Sequence, residues 1–235
     1  MLTRIKDFFS FFSIDEVDRE RGECMASQAA EKARGMTDIN DYKALAAVFL
    51  YYKPMQIFEI GTYLGITSDF FLTLLPESEV VSIAYRNPQW KMLGRSYNNS
   101  ELSREQIGSA VPEVRRNRFT QLYGDSHKLK GPALIEQYGY FDLVFIDGDH
   151  SAKGVSMDTE LARKIMKESG CICWHDANPK PKYMDVRRFL ESELPFSAIA
   201  TEDDYTGGIA VWSKGIEIKL ESCCLGNITS VVSKS

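Results

Sequence analysis

The sequence predicts an α/β fold built on a mostly parallel sheet with helices on both faces. From Met55 onward, short apolar runs alternate with amphipathic stretches, the order a chain takes when each strand is returned to its sheet by a helix. The run FDLVFIDGDH at 141–150 sets Leu143, Val144, Phe145 and Ile146 in one continuous apolar block, as in a strand covered on both faces. It then stops on Asp147, Gly148, Asp149 and His150. Ionisable side chains are costly to bury without a use. Ligands of such sheets bind outside the carboxyl ends of the strands, so the polar end of this run points to a site.

At the N-terminus, MLTRIKDFFSFFSIDEVDRE puts Leu2, Ile5, Phe8, Phe9 and Phe12 on what reads as one apolar helix face, suited to packing on the domain or on a second copy of the chain. The cluster is too short to span a membrane and no small-residue cleavage site follows, which argues against a secretory signal. Residues 14–53 read as helical, with Ile39, Tyr42, Leu45 and Phe49 at helical spacing and Pro54 as the stop. Strands are expected at 55–60, 79–84, 118–124, 141–147, 171–176, 196–201 and 207–214. Helices are expected over GITSDFFLTLLP, KLKGPALIEQYG, KGVSMDTELARKIMKESG and YMDVRRFLESEL. In the third, Val155, Leu161, Ala162, Ile165 and Met166 face inward and Gly170 ends the helix. The chain so divides into an N-terminal helical extension over 1–54 packed on the core, an α/β domain over 55–214 and a C-terminal tail over 215–235.

With 235 residues, 44% apolar and 26% charged, the chain can bury one large core. A net charge of −5 argues against nucleic acid as a partner, because such a footprint is a net basic face. Cys24, Cys171, Cys173, Cys223 and Cys224 are odd in number and lack paired CxxC spacing, so neither a disulfide framework nor a zinc knuckle is expected. Free thiols fit a reducing cytoplasm.

Polar residues mark four strand ends: Glu59 and Gly61 in FEIGTYLG, Asp125 and Ser126 in YGDSH, the 147–150 group, and His175, Asp176 and Asn178 in WHDANP. Gly61 lets the backbone turn out of its strand, and Gly65 lets the next helix start close to a ligand. The GxGxxG spacing of a nicotinamide site and a phosphate-loop Lys are both missing there, which disfavours a dinucleotide or a nucleoside triphosphate.

FEIGTYLG, YGDS, FDLVFIDGDH and GCICWHDAN, in this order and spacing, resemble the class I S-adenosylmethionine-dependent methyltransferases. The likeness is closest to the branch with small-molecule O-methyltransferases of the catechol type and cephalosporin-hydroxylase-like proteins, and it covers roughly residues 37 to 213. It implies a Rossmann-like fold with a mostly parallel seven-stranded sheet whose last strand is antiparallel. It also implies methyl transfer from S-adenosylmethionine to a hydroxyl on a small molecule, a sugar or secondary metabolite. The resemblance places the methionine part of the cofactor on Glu59, Gly61, Thr62 and Gly65, its adenine edge on Asp125 and Ser126, and Asp147 near the methyl group. In metal-dependent members that Asp joins an acid–Asn pair, matched here by Asp176 and Asn178, so Mg²⁺ or another divalent cation is a candidate at Asp147, Asp176 and Asn178.

Two departures stand out. Ala84, Tyr85 and Arg86 occupy the place where the family holds the ribose with an acid, and Ala177 separates Asp176 from Asn178. A sulfonium methyl is already activated, so the protein has to align an acceptor oxygen and take its proton. Asp147 with His150 or His175 as base forms the candidate catalytic set. The rival expectation, raised by the missing acid, is a binding or regulatory module that keeps the fold without transfer. Expected partners are a small-molecule acceptor, with neither nucleic acid nor membrane, and the aromatic N-terminus is compatible with a homodimer. Tyr85, Arg86, Trp90, Lys91 and Arg95 stand in the variable loop that would face an acceptor, although a role in coating the surface is favoured for them.

Overall fold

The apolar runs pair edge to edge into one sheet. The computed structural model describes residues 2–85, 102–178, 184–194, 198–201, 207–214, 216–218 and 232–234. The strands are β1 (Leu2–Ile5), β2 (Gln56–Ile60), β3 (Glu79–Ala84), β4 (Phe119–Tyr123), β5 (Phe141–Ile146), β6 (Met166–Trp174), β7 (Ala198–Thr201) and β8 (Ala210–Ser213). Their order across the sheet is β1-β7-β8-β6-β5-β2-β3-β4. All pairs are parallel except those of β8, which runs antiparallel to both β6 and β7.

Side chains alternate between the two faces, as the period of a strand demands. Ile57, Val80, Leu143, Phe145, Cys171 and Cys173 meet one helical layer. It contains α1 (Phe8–Phe11), α2 (Glu16–Ala33), α3 (Ile39–Tyr52) and α4 (Ile66–Leu74). Phe58, Ile60, Val81, Val144, Ile146 and Trp174 meet the other. That layer is α5 (Gly131–Tyr138), α6 (Ala152–Ile165) and α7 (Met184–Arg188). The fold class is the one expected from the sequence.

The sheet has eight strands where seven were expected, because the chain start is not part of a helix face. Leu2 to Ile5 pair with Ala198 to Thr201, covering what would otherwise be an open edge of β7. Asp7 then starts a short helix by accepting the Phe9 and Ser10 N–H groups at 2.9 and 3.3 Å, and Phe8, Phe9, Phe11 and Phe12 turn into the core. A second difference lies after α6, which stops at Ile165; Met166 already pairs with Phe141. Gly170 is therefore a strand residue, needed because a Cβ there would stand 2.9 Å from the Asp142 carbonyl oxygen. The expected tail carries a two-stranded antiparallel pair, β9 (Ile216–Ile218) with β10 (Val232–Lys234). Arg86, Trp90, Lys91 and Arg95 lie outside the described residues, as do Cys223 and Cys224. Cys24, Cys171 and Cys173 are free thiols, and among the described residues no helix is long and apolar enough to cross a membrane.

The helix that matters most for the site is α3. Asp38 caps it, accepting the Asn40 N–H at 2.8 Å, and Lys53 ends it in the left-handed region just before Pro54. Ala44 to Leu50 are all buried, and Phe49 stacks on Phe71 of α4 with centroids 4.2 Å apart and planes 15° apart. The buried carboxylate of Asp69 in α4 receives Lys32 of α2 at 2.9 Å and Arg115 at 2.7 Å, tying the N-terminal layer to the rest. Phe49→Ala is expected to lower unfolding free energy by about 3–5 kcal/mol in denaturant titration. A loss below about 1 kcal/mol would mean that the stacked pair is not what fastens α3.

Candidate active site

Chain order reverses between β2 and β5: from β2 the chain steps outward to β3 and β4, and from β5 outward to β6 on the other side. A crevice at the carboxyl ends of those two strands follows from that topology. Three strand ends are locked in step there. Gly61 donates to the Ile83 carbonyl at 2.9 Å, Asp147 to Ile60 at 2.8 Å, and His175 to Ile146 at 3.0 Å. Gly61 has φ 110°, and a Cβ on it would overlap the carbonyl oxygen of Asp147. Gly65 has φ 81°, and its Cβ would stand 2.8 Å from Gly108 Cα. Behind the loop, the carbonyls of Tyr63 and Leu64 accept the N–H groups of Gly108 and Ala110 at 3.0 and 2.9 Å. Both glycines are thus required by close backbone approach, and the cradle between them is built rather than loose.

Beneath the cradle lies a buried polar floor. Glu59 is fully buried, and its Oε2 accepts the hydroxyls of Ser68 and Ser82. With the Ser82 proton on Glu59, Thr62 Oγ1 donates to Ser82 Oγ at 2.7 Å, and Gln121 Nε2 donates to Thr62 Oγ1 at 2.9 Å. Among the described residues Glu59 Oε1 has no hydrogen-bond partner. Burial, only partly offset by the two serines, pushes the Glu59 carboxyl up to about 7.

The ends of β5 and β6 bring Asp147, His150, His175 and Asp176 together, as the sequence led one to expect. Asp147, His175 and Asp176 each offer a ligand atom within 4.8 Å of the others. His150 Nδ1 stands 2.9 Å from Asp176 Oδ2. Asp176 takes φ 58°, a left-handed conformation that Asp tolerates, and so folds back toward both imidazoles. His175 Nδ1 lies 3.3 Å from Asp147 Oδ1 and 3.5 Å from Asp176 Oδ2, yet makes no hydrogen bond to a described residue. Its Nε2 meets Asp41 Oδ2 at 3.1 Å, and Asp41 Oδ1 accepts the Gly208 N–H at 2.7 Å.

Burial alone would lower the His175 pKa, but Asp147, Asp176 and Asp41 hold it well above the ordinary range. For Asp176, burial pulls upward and is outweighed by His175 and His150, which hold the carboxyl well below the usual range. At His150 the bond to Asp176 overcomes burial, and the pKa is raised.

Sequence reasoning missed Asp41, which comes from α3 and is fully buried. The available signal was its position one helical turn before Leu45 and two before Phe49, a carboxylate on the apolar stripe. Asp158 was missed for the same reason, since it lies on the inward stripe of α6 with Val155, Ala162 and Ile165. Asp125 and Ser126 sit apart from the ionic cluster: Asp125 caps its own turn through the His127 N–H at 3.0 Å, and Ser126 Oγ donates to Asp158 Oδ1 at 2.7 Å. Asn178 is buried with its side chain packed on Gly208, and its N–H donates to the Gly207 carbonyl at 2.8 Å. At the end of β3, Ala84 is buried and its carbonyl accepts the Gly124 N–H at 3.0 Å.

Residues 58–177, just over half of the chain, match the family described as Methyltransferase domain. No curated protein matches in sequence. Solved structures share the fold. The O-methyltransferase from Bacillus cereus in complex with SAH is 20% identical over 85% of this chain and 92% of its own, with a TM-score of 0.53. The O-methyltransferase TomG from Streptomyces achromogenes, involved in tomaymycin synthesis and bound to SAM, is 18% identical over 81% and 90%, also at 0.53. The MycE methyltransferase of the mycinamycin biosynthetic pathway, in complex with Mg, SAH and mycinamycin VI, is 12% identical over 80% and 54%, at 0.52.

The raised pKa of Glu59 has a stability consequence. Between about 4.5 and 7 the folded state holds a proton that the unfolded state has released, so this contribution is present at acid pH and is lost as pH rises through 7. Glu59→Gln keeps an acceptor for the two serines and removes the titration. Its stability relative to the parent is expected to rise by the order of 1–3 kcal/mol between pH 5 and pH 8 in thermal melts. Parallel pH profiles for the two proteins would show that the carboxyl titrates normally.

Proposed function

The chain belongs to the methyltransferase domain family, and on that premise we propose that it transfers a methyl group from S-adenosylmethionine to a hydroxyl oxygen of a small molecule, a sugar or secondary metabolite. The observation that carries this reading is the adjacency of two features at one switch point: a cradle that excludes any Cβ, and a partly buried cluster of two carboxylates and two imidazoles. Bound S-adenosylmethionine supplies a methyl carbon made electrophilic by its sulfonium. The chain's residues then have to hold, align and deprotonate.

Gly61 and Gly65 allow the methionine part to lie on the backbone, with Glu59 and Thr62 fixing the loop from beneath. Asp125 and Ser126 would border the adenine end, on a turn fastened to α6 through Asp158. Asp147, at the end of β5, would lie on the side of the methyl group. Of the two candidate bases, His150 is assigned the proton: its ring is about a third exposed at the rim, and Asp176 orients it through Nδ1. His175 is buried with a carboxylate facing each nitrogen, and so positions rather than accepts.

The donor set fits a divalent cation. Asp147 and Asp176 offer oxygens, and His175 Nδ1 is a buried polar atom left without a hydrogen bond among the described residues. A cation at these residues would supply positive charge that lowers the pKa of a nearby hydroxyl. Asn178, the third ligand expected from the sequence, is buried beside Gly208 just past Asp176. The 1–54 extension is read as an integral layer of the enzyme, because Asp41 reaches the cluster from it. The free thiols suit a reducing cytoplasm.

Calorimetric titration with S-adenosylhomocysteine, with and without Mg²⁺, tests the reading; saturable micromolar binding is expected. Gly61→Ala should weaken that binding by about tenfold or more in a protein that still melts cooperatively. In His150→Ala, binding should persist while transfer to a hydroxyl acceptor slows by about 10²–10⁴-fold. Absence of binding under both conditions would leave a fold retained for binding or regulation, with Ala84 in place of the ribose acid as the cause.

A further inference from the structure

The ionic cluster has one member that an oxygen-only cation site does not need. His175 is 8% exposed and touches carboxylates on both sides, but its two nitrogens are treated differently. Nε2 is hydrogen-bonded to Asp41 Oδ2 at 3.1 Å, whereas Nδ1 faces Asp147 Oδ1 at 3.3 Å and Asp176 Oδ2 at 3.5 Å without a hydrogen bond to either. Asp41 is itself held in place. It is fully buried on α3, its Oδ1 accepts the Gly208 N–H at 2.7 Å, and a Cβ on Gly207 would overlap its Oδ2. Counting Asp41, Asp147 and Asp176 against His150 and His175, the cluster keeps one more carboxylate than imidazole. Three carboxylates gathered against two imidazoles favour a cation in place of the proton that would otherwise sit on His175 Nδ1.

We propose that the cluster is a mixed nitrogen–oxygen cation site in which His175 Nδ1 is a ligand beside Asp147 and Asp176. Asp41 is the positioning residue that turns this nitrogen toward the cation. A carboxylate that accepts the far N–H of an imidazole fixes the tautomer and leaves the near nitrogen with its lone pair outward. An imidazole ligand shifts selectivity away from Mg²⁺, which prefers hard oxygen, and toward borderline ions such as Co²⁺ and Zn²⁺. The cation specificity of this chain is therefore set from the N-terminal helical layer, outside the residues 58–177 that carry the family match.

This rests on the cation proposed above at Asp147 and Asp176, and its readout is binding rather than transfer. The purified chain, stripped of metal, is titrated with Co²⁺ and with Mg²⁺ by calorimetry. Co²⁺ is expected to bind at least about tenfold more tightly than Mg²⁺. His175→Asn should bring the two affinities closer by about tenfold, because Co²⁺ binding falls while Mg²⁺ binding stays. Asp41→Asn keeps an oxygen for the Gly208 N–H but presents an amide N–H to Nε2, which forces the proton onto Nδ1. Co²⁺ affinity should drop about 10–100-fold with Mg²⁺ affinity little changed. A purely structural role for Asp41 would weaken both ions together. In ¹⁵N-histidine-labelled protein, Zn²⁺ should shift the His175 Nδ1 resonance.

Equal loss of both ions in Asp41→Asn, an unaltered preference in His175→Asn, or an unshifted Nδ1 would each overturn the assignment. S-adenosylhomocysteine titration of the same samples separates the two readings. Binding that survives with no Co²⁺ preference sinks only the cation assignment. A retained Co²⁺ preference with no cofactor binding sinks the methyl-transfer reading and leaves the cation site.

Discussion

An imidazole buried among carboxylates needs a proton or a cation to balance them, and at His175 the carboxylates come from three separate parts of the chain. Asp147 arrives on the end of β5, Asp176 by a left-handed turn just past β6, and Asp41 from α3 across the sheet face. Each contact constrains a backbone. The step between β5 and β6 is set by the His175 N–H on Ile146, the turn by φ 58° at Asp176, and the return of the chain into β8 by Gly207 and Gly208 closing over Asp41. Removing any one carboxylate would unbalance a partly buried cluster whose His175 ring packs edge-on to Phe145, so packing and charge balance are coupled here.

The cradle obeys a steric counterpart of the same rule. Where β2 and β5 diverge, the backbone of Gly61 comes so close to the Asp147 carbonyl that no side chain fits, and the loop is held by hydrogen bonds to 108 and 110 on its far side. Fixing the loop before any ligand arrives lowers the ordering cost of binding. The Glu59 floor carries the cost instead: a fully buried carboxyl with one oxygen unpartnered among the described residues.

Most of the framework could be read from pattern alone. The apolar run at 79–84 became a strand with those boundaries, the one expected at 141–147 ended a residue earlier at Ile146, and the Pro54 stop ended α3 where helical spacing ran out. Misreadings fell where local pattern is ambiguous. Leu2 to Ile5 carry the same apolar spacing whether helical or extended, and a free edge on β7 decided between them. Lys167 to Gly170 looked like a helix end because Gly commonly supplies one, whereas here Gly170 serves a close approach to β5.

The sequence by itself determined the layered α/β fold, the two glycines of the cradle, and the acids and histidines at the ends of β5 and β6, because each is written in residues that are neighbours along the chain. Tertiary structure alone decided which of them meet and what state they hold. Asp41 lies 134 residues from His175 and 167 from Gly208, and no periodicity reports contacts of that range. Burial, set by the whole packed molecule, then raised the Glu59 pKa, while at His175 three converging carboxylates outweighed burial and raised the pKa there. A carboxylate or an imidazole has one intrinsic pKa in the sequence; its surroundings supply the rest.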